Sequence, residues 1–71
     1  EARSAFNDPL AWIFVDEAHS SDESREIIIG HSLQGRLLVA CFTERAGVIR
    51  IYSARPATLS ERKDYEENAK S

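Results

Sequence analysis

A single cysteine, Cys41, leaves this sequence without an internal disulfide and excludes a disulfide-stapled secreted scaffold; a reducing cytosol is the expected compartment. Long apolar runs are missing too. No stretch approaches the ~18 consecutive apolar residues of a membrane span. The opening Glu-Ala-Arg-Ser carries no apolar core, so no secretory leader is expected. Three glycines and two prolines are few enough that each reads as an element boundary. No internal repeat or low-complexity tract is visible. The sequence also holds no P-loop, dinucleotide fingerprint, zinc pattern or Ser-His-Asp logic.

What is present fits one small domain over residues 1–71, with 42% hydrophobic and 30% charged residues, a globular rather than a disordered balance. A chain this short buries only roughly 60% of its unfolded surface. The net charge of −3 hides an asymmetry. Residues 1–35 carry two basic and seven acidic side chains, whereas residues 36–63 carry six basic against two acidic. A basic half on an acidic chain suits local binding of a phosphate backbone, and it also suits ordinary solvated surface.

Hydrophobic patterning gives an α+β reading, a four-stranded antiparallel meander flanked by a short N-terminal helix and a C-terminal helix. Residues 1–6 read as a helix end with Ala2, Ala5 and Phe6 on one face, stopped by Asn7-Asp8-Pro9. Leu10–Val15 is a first strand and residues 16–23 an acidic loop. Arg25–Ile29 is a second strand with an isoleucine core, ending at Gly30. Ser32–Gly35 is a turn with glycine at positive φ, Arg36–Thr43 a third strand, and Glu44–Gly47 a second turn. In the fourth strand, Val48–Ala54, alternation places Val48, Arg50, Tyr52 and Ala54 on one face and Ile49, Ile51 and Ser53 on the other. Thr58-x-x-Glu61 is a capping box for a final helix to about Ala69.

Several side chains are candidates for chemistry. Arg55, at a strand end, suits bidentate phosphate binding or pairing with a carboxylate. Arg50 falls on the opposite nominal face, where its stem also packs against Tyr52. Arg36 and Arg45 sit at turns, suited to RNA contact or plain solvation. Arg62 and Lys63 add positive charge on the last helix. Tyr65 there is a core-edge aromatic or a stacking and proton-donor group. His31 or Glu44, each near a turn, is a candidate general base. His19 lies among Asp16, Glu17, Asp22 and Glu23, but the spacing matches no metal site. Cys41 reads as a buried, inert thiol. Without metal or cofactor, phosphodiester cleavage would use an RNA 2′-OH, a weak base, a proton donor and cations around the phosphate.

The sequence resembles the BrnT toxin family. The residues that carry the resemblance are Glu1-Ala2, Phe6, Asp8-Pro9-Leu10, Arg25 five before Gly30, and Ser32. They continue through Gly35-Arg36-Leu37-Leu38-Val39, Thr43-Glu44-Arg45, Ile49-Arg50-Ile51 and Ser53-Ala54-Arg55. Ala57-Thr58, Glu61-Arg62 and Tyr65-Glu66 complete the set. The resemblance implies a RelE-like fold and a ribonuclease toxin of a type II toxin–antitoxin pair, cleaving RNA to arrest translation. It implies neutralisation by a BrnA-like antitoxin with a ribbon-helix-helix domain. Such a pair assembles as a heterotetramer that meets DNA only through the antitoxin. Residues important for toxicity map onto Arg50, Arg55 and the final helix.

Family members open with a strand holding a Trp-Asp pair, then a helix ending in Lys-His-Gly, then Phe-x-Glu-Ala. None of this precedes Glu1, so the expectation is a chain truncated at its N-terminus relative to the family. Two other readings stay open: a catalytically inactive antitoxin-binding module in operon autoregulation, and a structural domain that self-associates through an open sheet edge.

Overall fold

The computed structural model describes residues 2–17 and 25–70. A 3-10 helix, Ala2–Asn7, leads into four strands and one α-helix. The strands are β1 (Trp12–Val15), β2 (Glu26–His31), β3 (Leu37–Arg45) and β4 (Val48–Pro56), and the helix is α1 (Leu59–Lys70). All strand pairs are antiparallel and the sheet order is β1-β2-β3-β4, the expected meander. His19, Asp22 and Glu23 of the acidic loop lie outside the described residues.

The sheet is covered on both faces. On one face α1 lays Tyr65 against Ile29, Leu37 and Val39, with Trp12, Phe14, Ile27 and Ala57 around them. On the other, the 3-10 helix sets Phe6 edge-on to Phe42 at 4.8 Å between ring centres, over Ile28 and Ala40. This explains the unbroken Ile27-Ile28-Ile29 run, because a central strand buried on both sides needs apolar residues at every position. Gly30 lies inside β2 rather than at its end. A Cβ there would stand 3.0 Å from the Ala5 carbonyl oxygen, so the glycine lets the 3-10 helix rest directly on the sheet.

β4 corrects the expected alternation. Arg50 pairs with Thr43 and Ile51 with Phe42, but Ser53 pairs with Cys41 and Arg55 with Val39. Tyr52 is therefore the extra residue of a bulge, and the phase of the strand reverses after it. Directly paired residues share a face. Arg50 and Arg55 thus lie on the same face, that of α1, not on opposite faces, while Ala54 moves to the other. The second turn also shrinks. β3 runs on to Arg45, and the hairpin closes through Ala46 and Gly47 alone, at φ 53° and 81°.

Two positive φ values in a two-residue loop define the I′ class of hairpin, in which alanine is a poor first residue. Ala46→Asn is expected to stabilise the fold by about 0.5–1 kcal/mol, since asparagine tolerates the left-handed region better. A rise in the urea midpoint with an unchanged slope would show it; an unchanged midpoint would contradict the assigned turn.

Candidate functional site

Three chain segments meet at the C-terminal end of β2. The 3-10 helix stops at Asp8, whose backbone N–H donates to the Ala5 carbonyl at 3.1 Å. Pro9 follows, and the Asp8 side chain closes the turn by accepting the Leu10 N–H at 2.9 Å. Its second oxygen accepts the backbone N–H of His31 at 2.8 Å and the hydroxyl of Tyr65 at 2.7 Å. The His31 ring stands edge-on to Tyr65, with Nδ1 3.1 Å from the Tyr65 oxygen and 3.5 Å from Asp8.

These contacts fix the protons. Burial alone raises the Asp8 carboxyl, but the His31 N–H, the Tyr65 hydroxyl and the Leu10 N–H outweigh it and hold Asp8 below the ordinary carboxylate range. Burial, then the hydrogen bond and charge of Asp8, push Tyr65 up to about 12. Tyr65 therefore keeps its single proton and gives it to Asp8. Its oxygen can only accept from His31, so Nδ1 carries a proton and the neutral ring has its lone pair on Nε2. The His31 side chain is 41% exposed and that of Asp8 only 9%. The arrangement is a half-open imidazole oriented by a buried tyrosine and carboxylate.

Arg55 lies on the same face, across β3 from His31 and two positions further along the sheet, and takes the carboxylate option. Its two Nη nitrogens donate to the two oxygens of Glu61 at 2.7 and 2.6 Å, a bidentate pair. Glu61 closes the expected capping box, accepting from Thr58 N–H at 2.9 Å while its own N–H donates to the Thr58 hydroxyl at 3.2 Å. Arg55 holds Glu61 down at about 2; burial opposes this and the Thr58 N–H assists.

A folded-state value below the ordinary one stabilises above about pH 4.5 and is lost as pH falls toward 2. Glu61→Gln keeps the cap and removes only the ion pair. With Arg55 half-exposed, the expected loss is about 0.2–1 kcal/mol at pH 7 and smaller at pH 2, where about half of Glu61 is protonated. Urea midpoints at the two pH values measure it; an equal loss at both would assign the effect to the cap.

The other cations divide between the two ends of the sheet. Arg36, bonded to Gln34 Oε1 at 2.9 Å, shares a depression with Arg55, Ala2, Leu38, Ala54 and Pro56 at the His31 end. Arg45 and Arg50 flank a depression with Ala46 and Val48 at the far hairpin, roughly 16 Å along β4 from Arg55. Arg62 and Lys63 are exposed on the outer side of α1 beside Leu59, Ser60 and Glu66.

Glu44 is exposed within β3, paired with Ile49 on the face opposite His31, Tyr65 and the β4 arginines, so it does not face the basic strand. The ring of Tyr52 is met by the Arg25 guanidinium at 4.6 Å. Cys41 is half-buried rather than fully buried, and burial, then the charge of Asp16, raise its thiol.

Asp8 is the residue that candidate reasoning from the sequence passes over. Its position after a helix stop reads as turn chemistry, and its two distant partners lie 23 and 57 residues away. The only local signal is an aspartate before proline.

A family model described as "Ribonuclease toxin, BrnT, of type II toxin-antitoxin system" matches residues 1–61. No curated protein and no solved structure matches the chain. The matched segment contains Asp8, His31, Arg50, Arg55 and Glu61 and stops short of Tyr65.

Proposed function

The chain belongs to the BrnT family of ribonuclease toxins of type II toxin–antitoxin systems, and on that premise we propose that it cleaves RNA without a metal ion, with His31 as the general base. Membership implies an RNA substrate and an antitoxin partner. The observation that supports the base is the direction of the proton chain, from His31 Nδ1 to Tyr65 and from Tyr65 to Asp8. Nε2 takes the proton of a ribose 2′-OH, the 2′ oxygen bonds to phosphorus, and the bond from phosphorus to the 5′ oxygen breaks. The leaving 5′ oxygen takes the proton back from the imidazolium. The products are a 2′,3′-cyclic phosphate and a 5′-hydroxyl.

Arg36 and Arg55, at the His31 end, stabilise the charge that develops on the phosphate, Arg55 exchanging Glu61 for it. Arg45, Arg50, Arg62 and Lys63 hold neighbouring phosphates. Tyr65 acts as a positioning residue, since its proton is committed and its side chain buried. Glu44 takes no part. Cleavage arrests translation in the cytoplasm. A BrnA-like ribbon-helix-helix antitoxin neutralises the chain in a heterotetramer that reaches operon DNA through the antitoxin.

The test is total RNA incubated with the purified, folded chain in EDTA, scored for 2′,3′-cyclic phosphate ends. Such ends are the expected result. Intact RNA would overturn this reading in favour of an antitoxin-binding module without cleavage, which the engagement of Arg55 by Glu61 favours.

A further inference from the structure

We infer that the depression beside His31, lined by Ser4, Asn7, Asp8, Ser32 and Leu33, seats a nucleobase next to the scissile phosphate, with Asn7 contacting its edge and Leu33 its face. The inference rests on the ribonuclease reading and adds a substrate contact to it.

The turn between β2 and β3 is held from several sides. The Ser32 hydroxyl accepts the N–H groups of Gln34 at 3.2 Å and Arg36 at 3.4 Å, and the Gly35 N–H donates to the Ser32 carbonyl at 2.9 Å. The Leu33 N–H donates to the Ser4 hydroxyl at 2.9 Å, which ties the turn to the 3-10 helix. Leu33 nevertheless leaves 85% of its surface in water. A leucine fixed at a tied turn gains nothing for the core and offers a ready apolar contact surface. It stands beside the one imidazole among the described residues.

The polar lining favours a base over a phosphate. Asp8 presents a carboxylate, which repels an anion, and its oxygens are already occupied by Leu10, His31 and Tyr65. Asn7 is exposed, and its amide forms no hydrogen bond with the described residues. One amide supplies a donor and an acceptor, the complement of the paired groups on a nucleobase edge. Single-stranded RNA is commonly read this way, with an unstacked base resting on a side chain and its edge hydrogen-bonded. A base seated here belongs to the nucleotide whose 2′-OH meets His31.

The experiment is a titration of the isotope-labelled chain with four dinucleotides differing in the 5′ base, each 2′-O-methylated so that no cleavage occurs. Chemical shifts of the Leu33 methyls and the Asn7 side-chain amide are followed. Both are expected to move, with affinities that differ between bases by about fivefold or more. Asn7→Ala should bring the four affinities within about twofold of one another, and Leu33→Ala should weaken all four. Unmoved Leu33 and Asn7 signals, or the same shifts with inorganic phosphate alone, would overturn the subsite whether or not the chain cleaves RNA. Shifts in a chain that leaves RNA intact would uphold the subsite and reject the catalytic reading.

Discussion

His31→Ala is expected to slow RNA cleavage by roughly 10²–10⁴, the contribution of a positioned general base, while the folded chain unfolds at the same urea concentration as the parent. The variant is clean because Asp8 holds His31 through its backbone N–H, which alanine retains. Tyr65 keeps Asp8 as its acceptor and stays packed on Ile29, Leu37 and Val39. The half-exposed imidazole leaves no buried cavity behind. Rate and stability should therefore separate.

Tyr65→Phe supplies the complementary result. It keeps the packed ring and removes the oxygen that orients Nδ1, so a smaller fall of about tenfold is expected. A folded His31→Ala chain that cleaves at the parental rate would end the assignment. The catalytic groups would then be sought at the opposite end of the sheet, where Arg45 and Arg50 stand.

The architecture was legible where the physics is local. Apolar runs, turn residues and the Thr58–Glu61 box each declare themselves within four or five positions, and the structure places each near its expected site. The face of Arg55 was not legible. A bulge at Tyr52 adds one residue to β4 against β3, and nothing in V-I-R-I-Y-S-A-R breaks the alternation before the partner strand is known. Arg55 itself was readable as a carboxylate partner in kind, but the identity of Glu61 emerged only once the helix cap had turned that side chain back toward the strand.

The His31 cluster shows the same division. Histidine at a strand end and tyrosine on a helix are visible as candidates. Their meeting depends on a meander that brings residue 31 beside residue 65, and on an aspartate from a third segment. Long-range hydrogen bonds of this kind leave no periodic trace.

Asp8→Ala is expected to bring the chain close to unfolding. One carboxylate joins the 3-10 helix, β2 and α1, and its loss removes three hydrogen bonds to a charged acceptor. Such bonds contribute about 1.5–3 kcal/mol each, and the Tyr65 hydroxyl would be left buried with its acceptor gone. A loss of about 3–5 kcal/mol is a large part of the total for a domain of this size, since native stability runs at roughly 0.05–0.15 kcal/mol per residue. Asp8→Asn should cost less than Asp8→Ala, because an amide oxygen in the Oδ2 place still accepts from His31 and Tyr65 while the NH2 faces the Leu10 N–H.

The pH dependence separates this tether from simple packing. Tyr65, raised by burial and by Asp8 to about 12, contributes stability fully below its ordinary value near 10. That contribution is lost as pH climbs from about 10 to 12, so the parent should weaken in alkali while Tyr65→Phe lacks this loss. Asp8, held low, gives the opposite limb, with stability falling as the solution is acidified. Urea midpoints across both limbs read the two groups separately. If Asp8→Ala costs under 1 kcal/mol, the junction is not what holds the N-terminal segment to the sheet. The orientation of His31 would then have to come from Tyr65 and the strand end alone.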